Sequence, residues 1–222
     1  GAMTNHWVDL QNCKTILVEG SNVAENHPMA FKWIRKAQEN GATIIHVDPR
    51  FTRTSASADI YARLRPGTDA AFQNTMINHI IVNKLYDEDY VVTHTNALFL
   101  GDQAFEFKDG LFSGYDAEHH KYDRKTWGYQ LDAKGYPRLA KSLDDPQCVF
   151  SRLKTFVSPY TLEMGERGTG VPADQIRTIE ETMAKNRPGS ILYALGMTQQ
   201  TTGVQGIRAF TILQLVLGNI GK

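Results

Sequence analysis

Four short apolar runs, rich in β-branched residues and without regular alternation, form the first pattern along the chain. They cover residues 15–18, 42–47, 60–64 and 190–195. Runs of this length and composition predict parallel strands that are buried on both faces of a sheet. Between them, apolar positions recur at helical spacing, so strands and helices alternate. The pattern predicts an α/β fold: a parallel sheet between two layers of helices, which is a three-layer domain.

Six segments carry apolar residues at helical spacing and are predicted to be helices. They cover residues 28–39, 68–85, 87–94, 146–157, 172–186 and 203–217. Pro28 suits the first turn of a helix, and Gly41 suits the left-handed residue that ends one. Residues 51–59 are small and polar, so we expect a connector there and no core element.

Polar segments, three of them containing glycine, follow the four predicted strands. The carboxyl ends of parallel strands lie at one edge of a sheet, where open α/β folds bind ligands, so these segments are expected to form one site. Glycine and asparagine let backbone N–H groups approach a phosphate, and carboxylates suit ribose hydroxyls or a guanine edge. The candidate residues are Gly20, Asn22, Glu25, Asp48, Arg50, Gly67, Thr68, Asp69, Gly196, Met197, Thr198 and Gln199.

Each loop also has a purely structural interpretation, which the residues alone leave open. The first loop has neither the Gly-x-Gly-x-x-Gly fingerprint nor a Walker A lysine, so it equally suits a capped strand–helix turn. Asp48-Pro49 is also a common turn starter, and Arg50 and Arg53 suit either a phosphate or solvent. The case for a nucleotide-bearing ligand therefore depends on the loops taken together.

Residues 101–147 interrupt the alternation of strands and helices with glycines, aromatics and charges that follow no period. The aromatic content argues against disorder and favours β-ribbons or an ordered excursion. We therefore predict three portions. Residues 1–100 form a first α/β cofactor-binding portion, 101–147 a long aromatic-rich insertion, and 148–222 a second α/β portion that is truncated at its end.

Composition excludes several functional classes. The 24 basic and 24 acidic residues cancel, so charge gives no sign of a nucleic-acid partner. No window is apolar for long enough to span a bilayer, and the first residues lack the features of a signal peptide. Cys13 and Cys148 are too few and too far apart for a cluster motif, and the histidines lack zinc-site spacing. No catalytic or metal-ligating side chain is predicted, and His46 and His79 are expected to be structural.

Seven stretches of the chain resemble the catalytic subunit of molybdenum- or tungsten-dependent formate dehydrogenases, within the molybdopterin oxidoreductase family. The cofactor loops fit that whole family, whereas the opening residues and the Gly-Leu-Phe-Ser-Gly-Tyr-Asp motif resemble formate dehydrogenases in particular. The stretches are residues 1–9, 20–28, 48–54, 67–69, 109–116, 193–199 and 217–221.

The resemblance implies a bis(molybdopterin guanine dinucleotide) cofactor with molybdenum or tungsten, and two-electron interconversion of formate and carbon dioxide. Gly20, Asn22 and Glu25 would approach a diphosphate, Asp48 and Arg50 would hold ribose or phosphate, and Thr68 and Asp69 would recognise guanine. Residues 196–199 would lie along the pterin.

The resemblance also implies elements outside this chain. The metal-ligating selenocysteine or cysteine, the formate-orienting arginine and the cysteines of a [4Fe-4S] cluster would belong to other parts of the catalytic subunit. An iron–sulfur electron-transfer subunit would be the partner, with no nucleic acid and no membrane span. We expect a periplasmic location, with the cytoplasm as the alternative, and no activity from the segment alone.

Three other functions are consistent with a site at this sheet edge. A nicotinamide-dependent dehydrogenase domain is disfavoured by the absent glycine fingerprint. Another molybdopterin oxidoreductase, such as a nitrate reductase, would share the cofactor loops. The third alternative is a non-catalytic binding module or an autonomously folded fragment, and exposed apolar surface is expected of an excised segment.

Overall fold

The structure, a computed structural model, describes residues 5–222, so the resemblance at residues 1–4 lies outside the described part. The strands are β1 (Thr15–Glu19), β2 (Thr43–Val47), β3 (Ile60–Ala62), β4 (Phe107–Lys108), β5 (Leu111–Phe112), β6 (Tyr115–Asp116), β7 (Lys121–Tyr122) and β8 (Gly189–Tyr193). The helices are α1 (Val23–Asn26), α2 (Pro28–Glu39), α3 (Arg53–Ser57), α4 (Asp69–Val82), α5 (Glu88–His94), α6 (Val149–Val157), α7 (Leu162–Thr169), α8 (Ala173–Lys185), α9 (Leu195–Thr198) and α10 (Gly203–Val216). Two 3₁₀ helices cover Trp7–Asn12 and Lys125–Trp127.

The four predicted strands form one parallel sheet in the order β3-β2-β1-β8. β1 lies in the middle, where Thr15 pairs with Thr43 on one side and with Gly189 on the other. Its five residues are all buried. The predicted parallel α/β arrangement is therefore confirmed, with the last strand at Gly189–Tyr193 in place of the predicted 190–195.

Alternating side chains of β1 face two different helical layers. Ile16 and Val18 belong to a core cluster that includes Ile34 and other apolar side chains of α2. On the opposite face, Glu19 accepts a hydrogen bond from Gln73 of α4. Since successive side chains of a strand point to opposite faces, α2 and α4 cover the two sides of the sheet, as the three-layer prediction requires.

The prediction of a connector without core residues at 51–59 is wrong. This segment contains the short helix α3, and Thr52 caps it by accepting from the backbone N–H of Ser55. Ser55 is buried and lies 2.8 Å, oxygen to nitrogen, from Nδ1 of His46. Small hydroxyl side chains can be buried here because a partner satisfies them, which an apolar pattern does not reveal.

Helix α7 has no counterpart among the predicted helices. It is eight residues long and contains two glycines, Gly165 and Gly168, which lower its helix propensity. At Gly165 a Cβ would lie 2.7 Å from the side chain of Thr75 in α4. Close packing of the two helices therefore requires glycine there, at a cost in helix propensity.

The described part of the chain divides into two compact units, residues 5–88 with 157–222, and residues 89–156. The second unit holds the predicted β-ribbons, which are the antiparallel pairs β4–β5 and β6–β7. Its aromatic rings contact one another, with ring centroids 5.3 Å apart for Phe112 and Trp127 and 5.2 Å apart for Tyr122 and Trp127. The boundaries predicted at 101 and 147 lie inside this unit, and the division into cofactor-binding portions stays a prediction.

Candidate functional site

The loops after β1 and β8 are in direct backbone contact at the carboxyl edge of the sheet. The backbone N–H of Gly196 donates to the carbonyl of Gly20 at 3.1 Å. Gly20 has a φ of +61°, and a Cβ on it would lie 2.8 Å from the backbone nitrogen of Met197. A Cβ on Gly196 would lie 2.6 Å from the Gly20 carbonyl oxygen. Both positions therefore require glycine for the loops to meet.

Residues 195–198 form the one-turn helix α9, which corrects the prediction of an open polar loop. Met197 is buried beneath this turn, and a Cβ on Gly206 of α10 would lie 3.2 Å from the end of its side chain. Met197 therefore anchors the turn, while Gly196, Thr198 and Gln199 are exposed.

Asp69 lies in the first turn of α4 and is held by the loops beside it. Its carboxylate accepts hydrogen bonds from Gln200, from its own backbone N–H and from that of Gly67. Gln200 also donates to the carbonyl of Gly196 at 2.5 Å, which connects the β3 and β8 loops. Burial raises the pKa of Asp69, whereas the hydrogen bonds lower it. Its Oδ2 is buried with no hydrogen-bond partner among residues 5–222.

Glu19 is a functional candidate that the sequence analysis did not select. It is fully buried at the end of β1, and its Oε1 accepts from Nε2 of Gln73 at 3.2 Å. Burial and the nearby charge of Asp69 raise the pKa of Glu19 well above its ordinary value, which favours the protonated carboxyl. Two signals were available: an acid ending an apolar run, and Asp69 and Gln73 at i, i+4 on one face of α4.

Replacing Glu19 by glutamine is expected to leave stability nearly unchanged, because glutamine is isosteric with a protonated carboxyl group. We expect a change within about 1 kcal/mol in the free energy of unfolding, against a loss of about 2–4 kcal/mol for Glu19→Ala, which leaves Gln73 unpaired beside a cavity. Urea denaturation at pH 7 measures both variants. Equal losses in the two variants would show that Glu19 is charged in the fold.

Asn22 and Glu25 are hydrogen-bonded to each other in the turn after β1. The side-chain oxygen of Asn22 accepts from Oγ1 of Thr54 at 3.0 Å, and that same hydroxyl oxygen accepts from the backbone N–H of Ala24. Arg53 lies 3.4 Å from Glu25 and is largely exposed. Two predicted candidates, Asn22 and Glu25, therefore contact two residues of helix α3, Thr54 and Arg53.

Asp48, Arg50 and Thr68 all take part in turns. Oδ1 of Asp48 accepts from the backbone N–H of Arg50 at 2.8 Å, and Oγ1 of Thr68 donates to the carbonyl of Arg65 at 2.7 Å. These contacts are those of the structural interpretation, and they leave the Arg50 side chain exposed. Asp48 is close enough to Glu19 and Asp69 to raise the pKa of each, so the three acids share one edge.

The cysteines lie in packed surroundings. Sγ of Cys13 is 3.0 Å from Oγ of Ser190, and Cys148 is fully buried with Sγ 3.5 Å from the Leu143 carbonyl. Within residues 5–222, no group of three or more His, Cys, Asp or Glu side chains could hold a metal ion. Over the same residues, no helix is long and apolar enough to cross a bilayer. His46 is buried between Ser55 and the carbonyl of Ser21, which agrees with the structural role expected for it.

Four loops thus form the site at the carboxyl edge of the sheet. They contribute glycines that expose backbone, three neighbouring acids (Glu19, Asp48 and Asp69), and buried oxygen atoms without a hydrogen-bond donor among residues 5–222. Such an arrangement can accept hydrogen bonds from the N–H groups of a heterocycle and can bring backbone close to a bulky anion. Within this site, Gly20 lies against Gly196 and Met197. Gln200 connects Gly67 and Asp69 to the loop that contains Gly196. Asn22 with Glu25, and Asp48 with Arg50, form separate pairs beside it.

Comparison with known proteins identifies the group of sequences to which these loops are similar. The profile of the family described as Molybdopterin oxidoreductase matches residues 1–222. The alpha subunit of a formate dehydrogenase from Megalodesulfovibrio gigas is 48% identical over 225 residues, covering 100% of this chain. The major subunit of the nitrate-inducible formate dehydrogenase of Escherichia coli is 48% identical over 226 residues, again covering 100% of the chain.

A structural comparison agrees with the sequence comparisons. Acetylene hydratase from Pelobacter acetylenicus superposes with a TM-score of 0.66 at 26% identity, covering 94% of this chain and 22% of the hydratase. The chain spans 22% of the length of each of the two formate dehydrogenase subunits. The likeness is therefore to one segment of much longer polypeptides.

Proposed function

Since this chain belongs to the molybdopterin oxidoreductase family, we propose that it is the central cofactor-binding segment of a formate dehydrogenase catalytic subunit. Its 45–48% identity to several formate dehydrogenase subunits favours that substrate over nitrate, and the family membership disfavours a nicotinamide-dependent dehydrogenase. When bound, the molybdopterin group supplies a metal centre for two-electron interconversion of formate and carbon dioxide. This chain's own residues bind and orient the nucleotide arms of that group.

The observation that carries the proposal is the buried, unpartnered Oδ2 of Asp69. Leaving a buried acceptor without a donor costs about 1–3 kcal/mol, so a ligand that supplies an N–H there gains that amount on binding. The Watson–Crick edge of guanine offers two adjacent N–H donors to a carboxylate. Gln200 and the Gly67 backbone hold the other side of the carboxylate and thereby aim it.

The remaining candidates fit the nucleotide arms in supporting roles. The glycine contact between the β1 and β8 loops leaves backbone in place of side chains where a diphosphate or pterin would approach. We propose that Asn22 and Glu25 shape this turn and that Asp48 binds ribose, with the exposed Arg50 available to a phosphate. We also propose that Thr68 orders the turn before Asp69, and that Met197, Thr198 and Gln199 line the pterin.

Several finer features belong to the same proposal. The cofactor would be the bis(guanine dinucleotide) form with molybdenum or tungsten, its protein ligand would be selenocysteine or cysteine, and a [4Fe-4S] cluster would belong to the complete subunit. An iron–sulfur subunit would accept the electrons, in keeping with relatives named alpha or major subunits. A periplasmic location, with the cytoplasm as the alternative, stays a prediction that cell fractionation tests.

Asp69→Asn in the complete catalytic subunit is expected to reduce bound guanine nucleotide by about 10- to 100-fold, the equivalent of about 1.5–3 kcal/mol for hydrogen bonds to a charged acceptor. The amide replaces one acceptor oxygen by a donor that opposes the N–H groups of guanine. Acid release of the nucleotide and chromatographic quantification of GMP per protein give the measurement.

Asp174→Asn is the matched control, because Asp174 also lies in the first turn of a helix but is 88% exposed. We expect this variant to retain guanine nucleotide at the wild-type ratio. If Asp69→Asn retained it as well while the subunit remained folded, the assignment of Asp69 to guanine would be wrong.

We expect the 222-residue chain by itself to give no formate oxidation, because the resemblance places the metal ligand and the formate-orienting arginine in other parts of the subunit. Reduction of a dye acceptor in the presence of formate provides the assay, with the complete subunit as the positive control. Formate-dependent turnover by the chain alone would contradict the placement of the metal ligand and the arginine outside this chain.

A further inference from the structure

The two edge strands of the parallel sheet, β3 and β8, differ in length and in charge. β3 is three residues long and is flanked by the charged side chains of Asp59 and Arg63. Short strands with flanking charge are typical of edges that face solvent. β8 is five residues long, as long as the central strand β1, and contains neither a charge nor a proline. Its composition is that of an interior strand, although β1 is its one neighbour in the described sheet.

The backbone of β8 shows which of its groups face away from β1. Gly189 donates its N–H to Oδ1 of Asn219 at 3.0 Å, and its carbonyl accepts from Nε2 of Gln214 at 3.1 Å. The outward N–H and C=O of Gly189 are therefore capped by side chains. In a parallel ladder every second residue faces the same neighbour, so the backbone groups of Ile191 and Tyr193 also face outward. Among residues 5–222, these two side-chain caps lie at Gly189, and the second half of the edge is the part considered for pairing.

A slot runs along this edge between the two helical layers. It has a volume of about 630 Å³, with β8 residues along one wall, the 3₁₀ helix Trp7–Asn12 on one side and α10 on the other. Asp9 and Asn12 contribute from the first side, and Ile207 and Thr211 from the second. The edge is therefore recessed between helices, at the height where a further strand of the sheet would lie.

We propose that an extended segment from another part of the catalytic subunit occupies this slot as a fifth strand, hydrogen-bonded to Ile191 and Tyr193. This rests on the proposed function only in that the chain is one segment of a longer subunit. The matched relatives are long enough to supply such a strand, since the chain spans 22% of their length. Side chains of the segment would alternate between the 3₁₀-helix side and the α10 side.

The recessed shape favours a single extended segment over a second copy of this chain. In a symmetric pair, each β8 would have to reach the other past α10 and the 3₁₀ helix of both copies. An extended segment needs only the width of one strand, about 4.8 Å in the hydrogen-bonding direction. Tyr193 stacks on Phe210 of α10 with ring centroids 5.6 Å apart, which holds one wall of the slot in place.

Amide hydrogen exchange tests the pairing by comparing the 222-residue chain with the complete subunit. We expect the amides of Ile191 and Tyr193 to exchange about a hundredfold more slowly, or slower still, in the complete subunit, because strand pairing protects them. The amide of Gly189 is the internal control, since Asn219 accepts from it in both samples. Equal exchange of Ile191 and Tyr193 in the two samples would overturn the proposal.

Light scattering of the chain alone tests whether a second copy of the chain occupies the slot instead. Protection of Ile191 that rises with concentration together with a dimeric mass would assign the slot to a second copy and overturn the proposal. A complete subunit that binds guanine nucleotide yet leaves Ile191 at the free-chain exchange rate would overturn the strand pairing and leave the proposed function intact.

Ile191→Pro supplies a second readout, because proline removes the outward N–H of that residue. In the chain alone this N–H faces away from β1, so we expect a modest fall in melting temperature that reflects local strain. In the complete subunit the same change also removes a strand hydrogen bond, so we expect a larger fall. Equal falls in the two samples would contradict the pairing.

Discussion

Gly20→Ala is expected to separate the loops after β1 and β8 and to destabilise the fold by about 3 kcal/mol, the sum of left-handed backbone strain and overpacking. The added Cβ would lie 2.8 Å from the Met197 nitrogen and 2.9 Å from the Gly196 carbonyl carbon. These are backbone atoms, which cannot rotate aside as a flexible side chain can. Relief of the contact therefore requires one of the two loops to move.

The effect reaches the site through Gln200. Its side chain connects the carbonyl of Gly196 to the carboxylate of Asp69, so displacement of Gly196 also removes a partner of Asp69. For the complete subunit we expect Gly20→Ala to lower bound guanine nucleotide at least as much as Asp69→Asn does. Urea denaturation of the chain and nucleotide release from the subunit provide the two measurements.

Gly41→Ala is the matched control for backbone strain. Gly41 also has a positive φ, +91°, but a Cβ on it would meet no atom within 4 Å. We expect a loss of about 1–2 kcal/mol from the left-handed conformation, with full nucleotide content. If the two variants lost equal stability, the contact between the loops would contribute nothing beyond backbone strain.

The second large effect concerns Glu180 and His79, which are in contact between helices α8 and α4. Glu180 is fully buried, and burial raises its pKa to about 9, with a further contribution from the charge of Glu181. Burial lowers the pKa of His79. At neutral pH we therefore infer a protonated carboxyl in contact with a neutral imidazole.

A raised pKa means that the folded chain binds a proton which the unfolded chain has released. Stability from Glu180 is therefore fully present below about pH 4.5 and is lost as the pH rises through about 9. The slope is up to about 1.4 kcal/mol per pH unit inside that window. The lowered pKa of His79 acts in the opposite direction, so its contribution is lost as the pH falls below its ordinary pKa.

Glu180→Gln is expected to flatten the decline of stability with rising pH, because glutamine cannot lose a proton. Relative to the wild type, the variant should gain stability steadily between pH 5 and 9, as measured by urea denaturation at several pH values. Glu181→Gln is the control on the same helix, because Glu181 is exposed enough to pair with Lys185 and its pKa is lowered. A Glu180→Gln curve parallel to that of the wild type would show that Glu180 is charged in the fold.

The regular elements of this fold could be predicted from the sequence to a large extent. The strands of the sheet are apolar runs with β-branched residues, helix α2 has one apolar face, and α4 is largely apolar and buried. The failures have specific causes. Helix α3 consists mainly of small and hydroxyl residues without an apolar period, and α7 is short and contains two glycines, of which Gly165 is required by contact with Thr75.

The convergence of the strand-end loops could be predicted from the sequence, whereas the contacts among their residues could be predicted only in part. The parallel order of the strands brings Gly20, Asp69 and Gly196 to one edge, as their positions after strands implied. Glu19, Gln73 and Gln200 were missed because their roles arise from burial and from partners distant in the chain. Arg50 and Thr68 were selected for side-chain chemistry, and the contacts found for them are those of turns.

The sequence by itself determined the α/β alternation, the parallel sheet and the convergence of four loops, because side-chain periodicity and strand-end geometry are local properties. The tertiary structure alone decided that Gly20 must contact Gly196, that Glu19 is buried with a raised pKa, and that β8 has a recessed outer edge. Each of these three features depends on which backbone segments approach one another and on which polar groups are desolvated by burial. Such approaches join residues up to 176 positions apart, as Gly20 and Gly196 are, and no local pattern encodes them.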